Sequence, residues 1–282
     1  TLGDVVITGR SLLEKVALIT GAESGMGAAT ARRYAAEGAQ LVLVGLQATP
    51  LEAIADELGA VAVVGDAADP EVARAAAAIA QERFGGLDVV TTCAGQATFG
   101  ASHRLLDTGT EAWAQGMRAN LDTAAVTTRE ALPHLIERGG GTVVMIASLG
   151  ALSSGPDSAV YTTAKTAILG LVRSVAVDYG PSNIRANAVC PGPTRSPMSD
   201  GIVGSYAGER GISRDDAYRE LSETVPLRAP NESEEIASAC LFLASSESRG
   251  ITGTHLIVDN GQTALSQAAI PFLIRERPLG QV

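Results

Sequence analysis

Short apolar runs alternate with longer amphipathic or alanine-rich segments along almost the whole chain. Apolar runs of about four to eight residues predict buried strands, whereas longer segments with a helical period predict helices. Predicted strands cover residues 15–20, 40–45, 61–64, 87–91, 142–147, 184–189 and 254–258. Predicted helices cover residues 28–37, 50–58, 70–84, 110–138, 161–177 and 232–244.

This alternation of strands and helices predicts an α/β fold in which helices cover both faces of one parallel sheet. We therefore expect a single-domain, Rossmann-like, doubly wound sheet of about seven strands. Ligands of such sheets bind at the carboxyl ends of the strands. The segments that follow predicted strands, and so meet at that edge, are 21–27, Gly45, Asp66, 94–95, Ser148 and 191–192.

Length and composition suit one large domain, since 282 residues with 46% apolar content can fill a single core. We expect a catalytic domain over residues 15–262, preceded by an extension (1–14) and followed by a tail (263–282). The tail carries an apolar cluster at 270–274. Such a cluster is expected to be covered, either by a neighbouring subunit whose active site it would line or by its own subunit.

The net charge of −10 argues against nucleic acid or an anionic membrane as a partner, because both attract clustered cations. No apolar run approaches the roughly 18 residues of a membrane span, and residues 1–14 lack the apolar core of a signal peptide. Cys93, Cys190 and Cys240 are too widely spaced to suggest a disulfide framework or a metal site. We expect a cytoplasmic protein that acts on a small molecule and holds no metal.

Tyr161 and Lys165 are four residues apart in a predicted helix and therefore lie on one helix face. A phenol has an ordinary pKa of about 10, so it exchanges protons near neutrality only if its phenolate is stabilised. An ammonium at roughly 4 Å contributes about 4 kcal/mol at an effective dielectric of about 20, or at most about three pKa units before desolvation. We expect Lys165 to bring the pKa of Tyr161 close to the working pH; an ordinary amphipathic pair is the alternative.

Three observations favour chemistry near this pair. Lys165 is one of only two lysines among the 21 basic residues, so an ammonium is unusual in this chain. Ser148 follows a predicted strand and is placed to hydrogen-bond the same substrate oxygen as the tyrosine. The glycine-rich turn 21–27 joins a strand to a helix, as a dinucleotide site requires, because its amides can approach a pyrophosphate. Such a turn can also simply pack a strand against a helix.

From about residue 12 to 262 the chain resembles the short-chain dehydrogenase/reductase family. The similar motifs are the turn Thr20-Gly21-x-x-x-Gly25-x-Gly27, Cys93-Ala94-Gly95, the tetrad Asn120, Ser148, Tyr161 and Lys165, then Asp66, Pro191-Gly192 and Val258-Asp259-Asn260-Gly261. The resemblance implies hydride transfer between a nicotinamide cofactor and a secondary alcohol or ketone. It implies that Tyr161 exchanges the proton, Ser148 holds the oxygen, Lys165 lowers the tyrosine pKa and binds ribose, and Asn120 anchors a water.

The resemblance also implies which residues contact the cofactor. They are Gly21, Ser24, Gly25, Met26, Gly27, Gly45, Leu46, Asp66, Ala67, Ala94, Gly95, Tyr161, Lys165, Pro191, Gly192, Thr194 and Ser196. Gly45 replaces the aspartate of relatives that use NAD, and Leu46 replaces the arginine of relatives that use NADP. Repulsion of a 2′-phosphate is therefore missing, and so is a cation to bind one. Because Ser24 replaces a basic residue and Glu23 is acidic, NAD(H) is favoured and NADP(H) stays open.

The family's variable substrate loop corresponds to residues 197–226. Met198, with Gln96, Phe99, Leu149 and Ser154 from elsewhere, is expected to line an apolar pocket for a neutral alcohol or ketone. Residues 91–93 replace the family's asparagines, and Thr92 is expected to keep a hydrogen bond. The resemblance implies a homo-oligomer, a tetramer or a dimer. Alternatives are a 3-oxoacyl-thioester reductase, an epimerase or dehydratase with tightly held NAD, and a non-catalytic nucleotide-binding protein.

Overall fold

The computed structural model of the protein describes residues 11–96 and 104–270. Seven strands form one parallel sheet: β1 (Val16–Thr20), β2 (Gln40–Gly45), β3 (Val61–Val64), β4 (Val89–Thr92), β5 (Gly141–Ile146), β6 (Ile184–Pro191) and β7 (His255–Val258). The spatial order is β3-β2-β1-β4-β5-β6-β7, so the chain changes direction across the sheet between β1 and β4. The predicted Rossmann-like doubly wound sheet is confirmed, and this switch point is where such folds bind ligands.

Helices cover both faces of the sheet. They are α1 (Gly25–Ala36), α2 (Ala48–Leu58), α3 (Pro70–Phe84), α4 (Thr110–Met117), α5 (Thr123–Glu137), α6 (Ala159–Tyr179), α7 (Pro197–Arg210), α8 (Arg214–Leu221) and α9 (Ser233–Ala244). Strand β1 is buried on both sides: Leu18 belongs to the core beneath α3, α5 and α6, while Ile19 belongs to the core beneath α1, α2 and α9. Because successive side chains point to opposite faces, a doubly covered strand is continuously apolar.

Some predicted elements differ from the structure. The helical stretch 110–138 is divided into α4 and α5 by a π-helical turn at Arg118–Asp122. The segment 197–226, expected to correspond to the variable substrate loop, contains two helices, α7 and α8. Pro197 at the first helical position and the capping hydroxyl of Ser196 favour the start of α7. Helix α1 also begins earlier than predicted, at Gly25.

Some predictions fall on residues outside the described ranges. These residues include Phe99 and the tail from residue 271 onward, which holds most of the apolar cluster suggested to contact a neighbouring subunit. Within the described ranges, none of the helices combines the length and apolar character needed to cross a bilayer.

Candidate active site

Two cavities meet at the carboxyl edge of the sheet. The first, of about 260 Å³, is lined by the glycine-rich turn and by the ends of β2 and β3. The second, of about 520 Å³, is lined by Ser148 and Tyr161. Met26, Ser196 and Met198 line both cavities, so the two spaces are neighbours. This arrangement suits a reaction between two ligands that bind side by side.

The glycine-rich turn fits a dinucleotide because it leaves space and free amides at the start of α1. A Cβ on Gly27 would lie 2.0 Å from the carbonyl oxygen of Gly21, and a Cβ on Gly21 would lie 2.8 Å from the amide nitrogen of Ala94. Ser24, the N-cap residue of α1, makes no side-chain cap hydrogen bond. The first N–H groups of α1 therefore remain available for a phosphate, which the helix dipole also favours.

Asp66 and Ala67, which follow β3, line the same cavity as predicted. The Oδ1 atom of Asp66 accepts a hydrogen bond from the amide of Ala68 at 2.8 Å, and its Oδ2 lies 2.8 Å from Nη2 of Arg118. Arg118 is a cavity residue that the sequence did not predict. Nothing in its local pattern marks it, since only the π-helical turn brings residue 118 to the end of β3.

Asn120 and Lys165 converge on Gly95. A Cβ on Gly95 would lie 3.2 Å from Oδ1 of Asn120 and 3.3 Å from Nζ of Lys165. Asn120 accepts a hydrogen bond from the amide of Gln96 at 3.1 Å and donates one to the carbonyl oxygen of Gly116 at 3.1 Å. Lys165 donates to the carbonyl oxygen of Ile146 at 3.2 Å. Backbone groups of several elements therefore hold both side chains in place beside Gly95.

Ser148 and Tyr161 face the second cavity together. The Oγ atom of Ser148 accepts a hydrogen bond from the amide of Gly150 at 2.9 Å, so the serine keeps its own proton for donation. Burial raises the pKa of Tyr161, and the hydrogen bond with Ser148 opposes this shift only in part. The serine and the tyrosine thus form a hydrogen-bonded pair at the cavity wall.

The pKa of Tyr161 is raised in the structure, and is not lowered towards neutrality as the spacing to Lys165 alone led us to expect. The ammonium lies 5.9 Å from the centroid of the tyrosine ring. Burial lowers the pKa of Lys165 to about 8, and burial also raises the pKa of Tyr161. Desolvation disfavours the charged form of both groups and is the largest cause of each shift, which the sequence could not show because it does not reveal burial.

Of the five predicted substrate residues, Leu149, Ser154 and Met198 line the second cavity, and Phe99 lies outside the described residues. Gln96 instead lines the first cavity, because its amide is held by Asn120 near the end of β4. The sequence did not predict Tyr218, which reaches the second cavity from α8. Other lining residues that it missed are Thr162, Leu221, Ser222 and Gln262.

The turn after β6 lines the second cavity through Pro191, Gly192 and Thr194. The hydroxyl of Thr194 donates to the carbonyl oxygen of Gly192 at 2.9 Å. The hydroxyl of Ser196 accepts from the amide of Ser199 at 3.2 Å and so caps α7. The predicted cofactor contacts Thr194 and Ser196 thus place hydroxyl groups at this turn, and each hydroxyl already stabilises local structure.

Residues 91–93 depart from the family pattern, and the structure corrects one expectation about them. The buried hydroxyl of Thr92 has no hydrogen-bond partner among the described residues, so it does not replace an asparagine amide. The hydroxyl of Thr20 instead accepts a hydrogen bond from the amide of Ala94 at 3.2 Å. Thr91 pairs with the hydroxyl of Tyr34 at 3.0 Å. Among the described residues, no group of three or more potential ligands is arranged to hold a metal ion.

A family model described as enoyl-(acyl carrier protein) reductase matches residues 21–263. The aldohexose dehydrogenase of Thermoplasma acidophilum has the same fold, with a TM-score of 0.84 and 27% identity over 92% of this chain and 97% of that one. The fold and these matches define an oxidoreductase of the dehydrogenase class.

Curated relatives make the assignment more specific. Protein MoaE of Klebsiella aerogenes is 37% identical over 92% of this chain and its whole length. The 2-(R)-hydroxypropyl-CoM dehydrogenase of Xanthobacter autotrophicus is 33% identical over 90% of this chain and its whole length. The trans-4-hydroxycyclohexanecarboxylate dehydrogenase of Sinomonas cyclohexanicum is 35% identical over 89% of this chain and 93% of its own. The chain belongs to the short-chain dehydrogenase/reductase family.

Proposed function

We propose that this protein is an NAD(H)-dependent short-chain dehydrogenase/reductase that interconverts a neutral secondary alcohol and its ketone. The observation that carries the proposal is the convergence of Ser148 and Tyr161 on a cavity next to the one that the glycine-rich turn lines. Members of this family use nicotinamide cofactors, and relatives named in the comparisons are dehydrogenases of hydroxylated compounds. When bound, the cofactor supplies or accepts the hydride.

Each residue of the predicted tetrad, Asn120, Ser148, Tyr161 and Lys165, has a separate role in the proposed reaction. Ser148, whose oxygen accepts a hydrogen bond from the amide of Gly150, donates a hydrogen bond to the substrate oxygen and orients it. Tyr161 transfers a proton to or from the same oxygen. Lys165 holds a buried positive charge near the ring and Gly95, which favours negative charge on the substrate oxygen during the reaction. Asn120 fixes the backbone of Gln96 and thereby the floor of the site.

The raised pKa of Tyr161 keeps its phenol protonated at neutral pH. A phenol that stays protonated at neutral pH is the form that donates to a carbonyl oxygen. We therefore expect ketone reduction to be efficient near neutrality, and alcohol oxidation to accelerate as the pH rises and the phenol loses its proton. Measuring both directions between pH 6 and 10 tests this expectation, and an oxidation rate independent of pH would contradict it.

The lining of the second cavity supports a neutral substrate. Its described side chains are apolar or uncharged, including Leu149, Met198, Tyr218 and Leu221. A 3-oxoacyl group on an acidic carrier protein is a weaker candidate because the chain itself has a net charge of −10. We also infer a homo-oligomer in a reducing, cytoplasmic compartment, where the free thiols Cys93, Cys190 and Cys240 are stable.

The test is a panel of secondary alcohols and ketones, followed at the nicotinamide absorbance with both cofactors. Tyr161→Phe should reduce turnover by at least about 100-fold because it removes the transferable proton. It should leave NADH binding intact, since the phenyl ring remains. Tyr179→Phe removes a hydroxyl from the other end of α6 and is the matched control. Equal turnover in wild type and Tyr161→Phe would refute the assigned role, and no turnover with any substrate would favour a non-catalytic protein.

A further inference from the structure

Gly45, at the end of β2, does not need to be glycine for its own backbone, because its φ lies outside the left-handed region. The position of Glu23 explains why residue 45 is a glycine. A Cβ at position 45 would lie 2.4 Å from Oε2 of Glu23 and 2.8 Å from its Cδ. The carboxylate of Glu23 thus occupies the space that a side chain at the end of β2 would enter.

The carboxylate of Glu23 is only partly satisfied by the protein. Its Oε1 accepts a hydrogen bond from the amide of Leu46 at 3.1 Å, which fixes the side chain against the end of β2. Its Oε2 is buried and has no hydrogen-bond partner among the described residues. A carboxylate oxygen without a donor retains its capacity to accept one, and burying it unpaired is costly. The side chain lines the first cavity, from which a ligand can offer that donor.

The Glu23 carboxylate lies where a dinucleotide site recognises the adenosine ribose. An acidic side chain near the end of the second strand accepts a hydrogen bond from the 2′-hydroxyl of the adenosine ribose, and it repels a 2′-phosphate. We propose that Glu23, a residue of the glycine-rich turn, recognises this hydroxyl and thereby selects NAD(H) over NADP(H). The inference rests on the proposed use of a nicotinamide cofactor. It revises the sequence-based expectation that repulsion of a 2′-phosphate is missing.

The basic side chains that line the first cavity are consistent with a preference for NAD(H). Among the described residues that line it, Arg118 is the only cation. Its guanidinium contacts Oδ2 of Asp66 through Nε at 3.2 Å and Nη2 at 2.8 Å. Leu46, which is exposed beside Glu23, offers no charge. A 2′-phosphate would therefore meet the Glu23 carboxylate and an arginine that is already paired with another carboxylate.

Direct binding tests the inference without a known substrate. Glu23→Gln keeps the size of the side chain and the acceptor for Leu46, but removes the charge. We expect the dissociation constant for NADH to rise and that for NADPH to fall, so that their ratio changes by about tenfold or more. Calorimetry with ADP-ribose and its 2′-phosphate should show the same change. Glu52→Gln, which removes an equal charge from the exposed surface of α2, is the control and should leave the ratio unchanged.

A second variant distinguishes loss of the carboxylate from a local folding defect. Glu23→Ala combined with Gly45→Asp clears the space and returns a carboxylate from β2, so preference for NADH should be restored relative to Glu23→Ala alone. If Glu23→Gln binds NADH but its ratio matches that of Glu52→Gln, the inference is overturned and the proposed function stands. If the wild type binds neither cofactor, the proposed function fails and this inference fails with it.

Discussion

Lys165→Met should make the protein more stable while it inactivates the site. The substitution replaces a buried ammonium with an apolar side chain of similar length. Burial lowers the pKa of Lys165 from 10.5 to about 8, which corresponds to about 3 kcal/mol of destabilisation of the folded state at pH 7. The variant also loses the hydrogen bond from Nζ to Ile146, worth about 1 kcal/mol. The free energy of unfolding should therefore rise by about 2 kcal/mol.

The stability difference between Lys165→Met and wild type should decrease as the pH rises. The unfolded chain binds the lysine proton up to a higher pH than the folded chain does, so the wild type gains stability as the pH rises from about 8 to 10.5. The methionine variant has no such group. Its advantage should therefore be complete below about pH 8 and should disappear as the pH approaches 10.5.

Urea denaturation at pH 7 and at pH 9.5 measures both effects, and the nicotinamide assay measures the loss of turnover. Lys15→Met is the control, because Lys15 is half exposed and its Nζ lies 3.0 Å from Oδ1 of Asp88. That variant should be neutral or slightly destabilised. A Lys165→Met protein that is less stable than wild type at pH 7 would refute the argument that burial of the ammonium dominates at this site.

Two further substitutions test the architecture around the site. Gly27→Ala should abolish NADH binding and lower the melting temperature, because its Cβ would lie 2.0 Å from the backbone oxygen of Gly21; unchanged calorimetric binding would contradict the tight turn. Asp88→Asn should lose about 2 kcal/mol at pH 7. Burial raises the pKa of Asp88, but hydrogen bonds from Val16, Lys15 and Arg138 outweigh it and hold the pKa below 3.8. The stabilisation is therefore present above about pH 4 and is lost as the pH falls through the lower folded value, so denaturation curves of the two proteins should converge in acid.

The sequence by itself determined the fold class and the edge of the sheet that carries the site. Buried strands such as β1 are continuously apolar, and the glycine-rich turn follows β1 directly, so both can be recognised from local pattern. The four-residue spacing of Tyr161 and Lys165 places them on one helix face in any helix. The apolar run 143–147 predicts a buried strand, and this places Ser148 at its end.

Only the tertiary structure decided how these groups behave. Whether Lys165 acidifies Tyr161 depends on the balance between their attraction and the desolvation of each, and burial fixes that balance. Glu23 meets Gly45 because β1 pairs with β2 in a register that aligns Thr20 with Val44. Arg118, at the start of the π-helical turn, meets Asp66, which follows β3, although the two residues are 52 positions apart in the chain. These contacts join residues distant in the chain, and their energies depend on burial and geometry that no local pattern of residues contains.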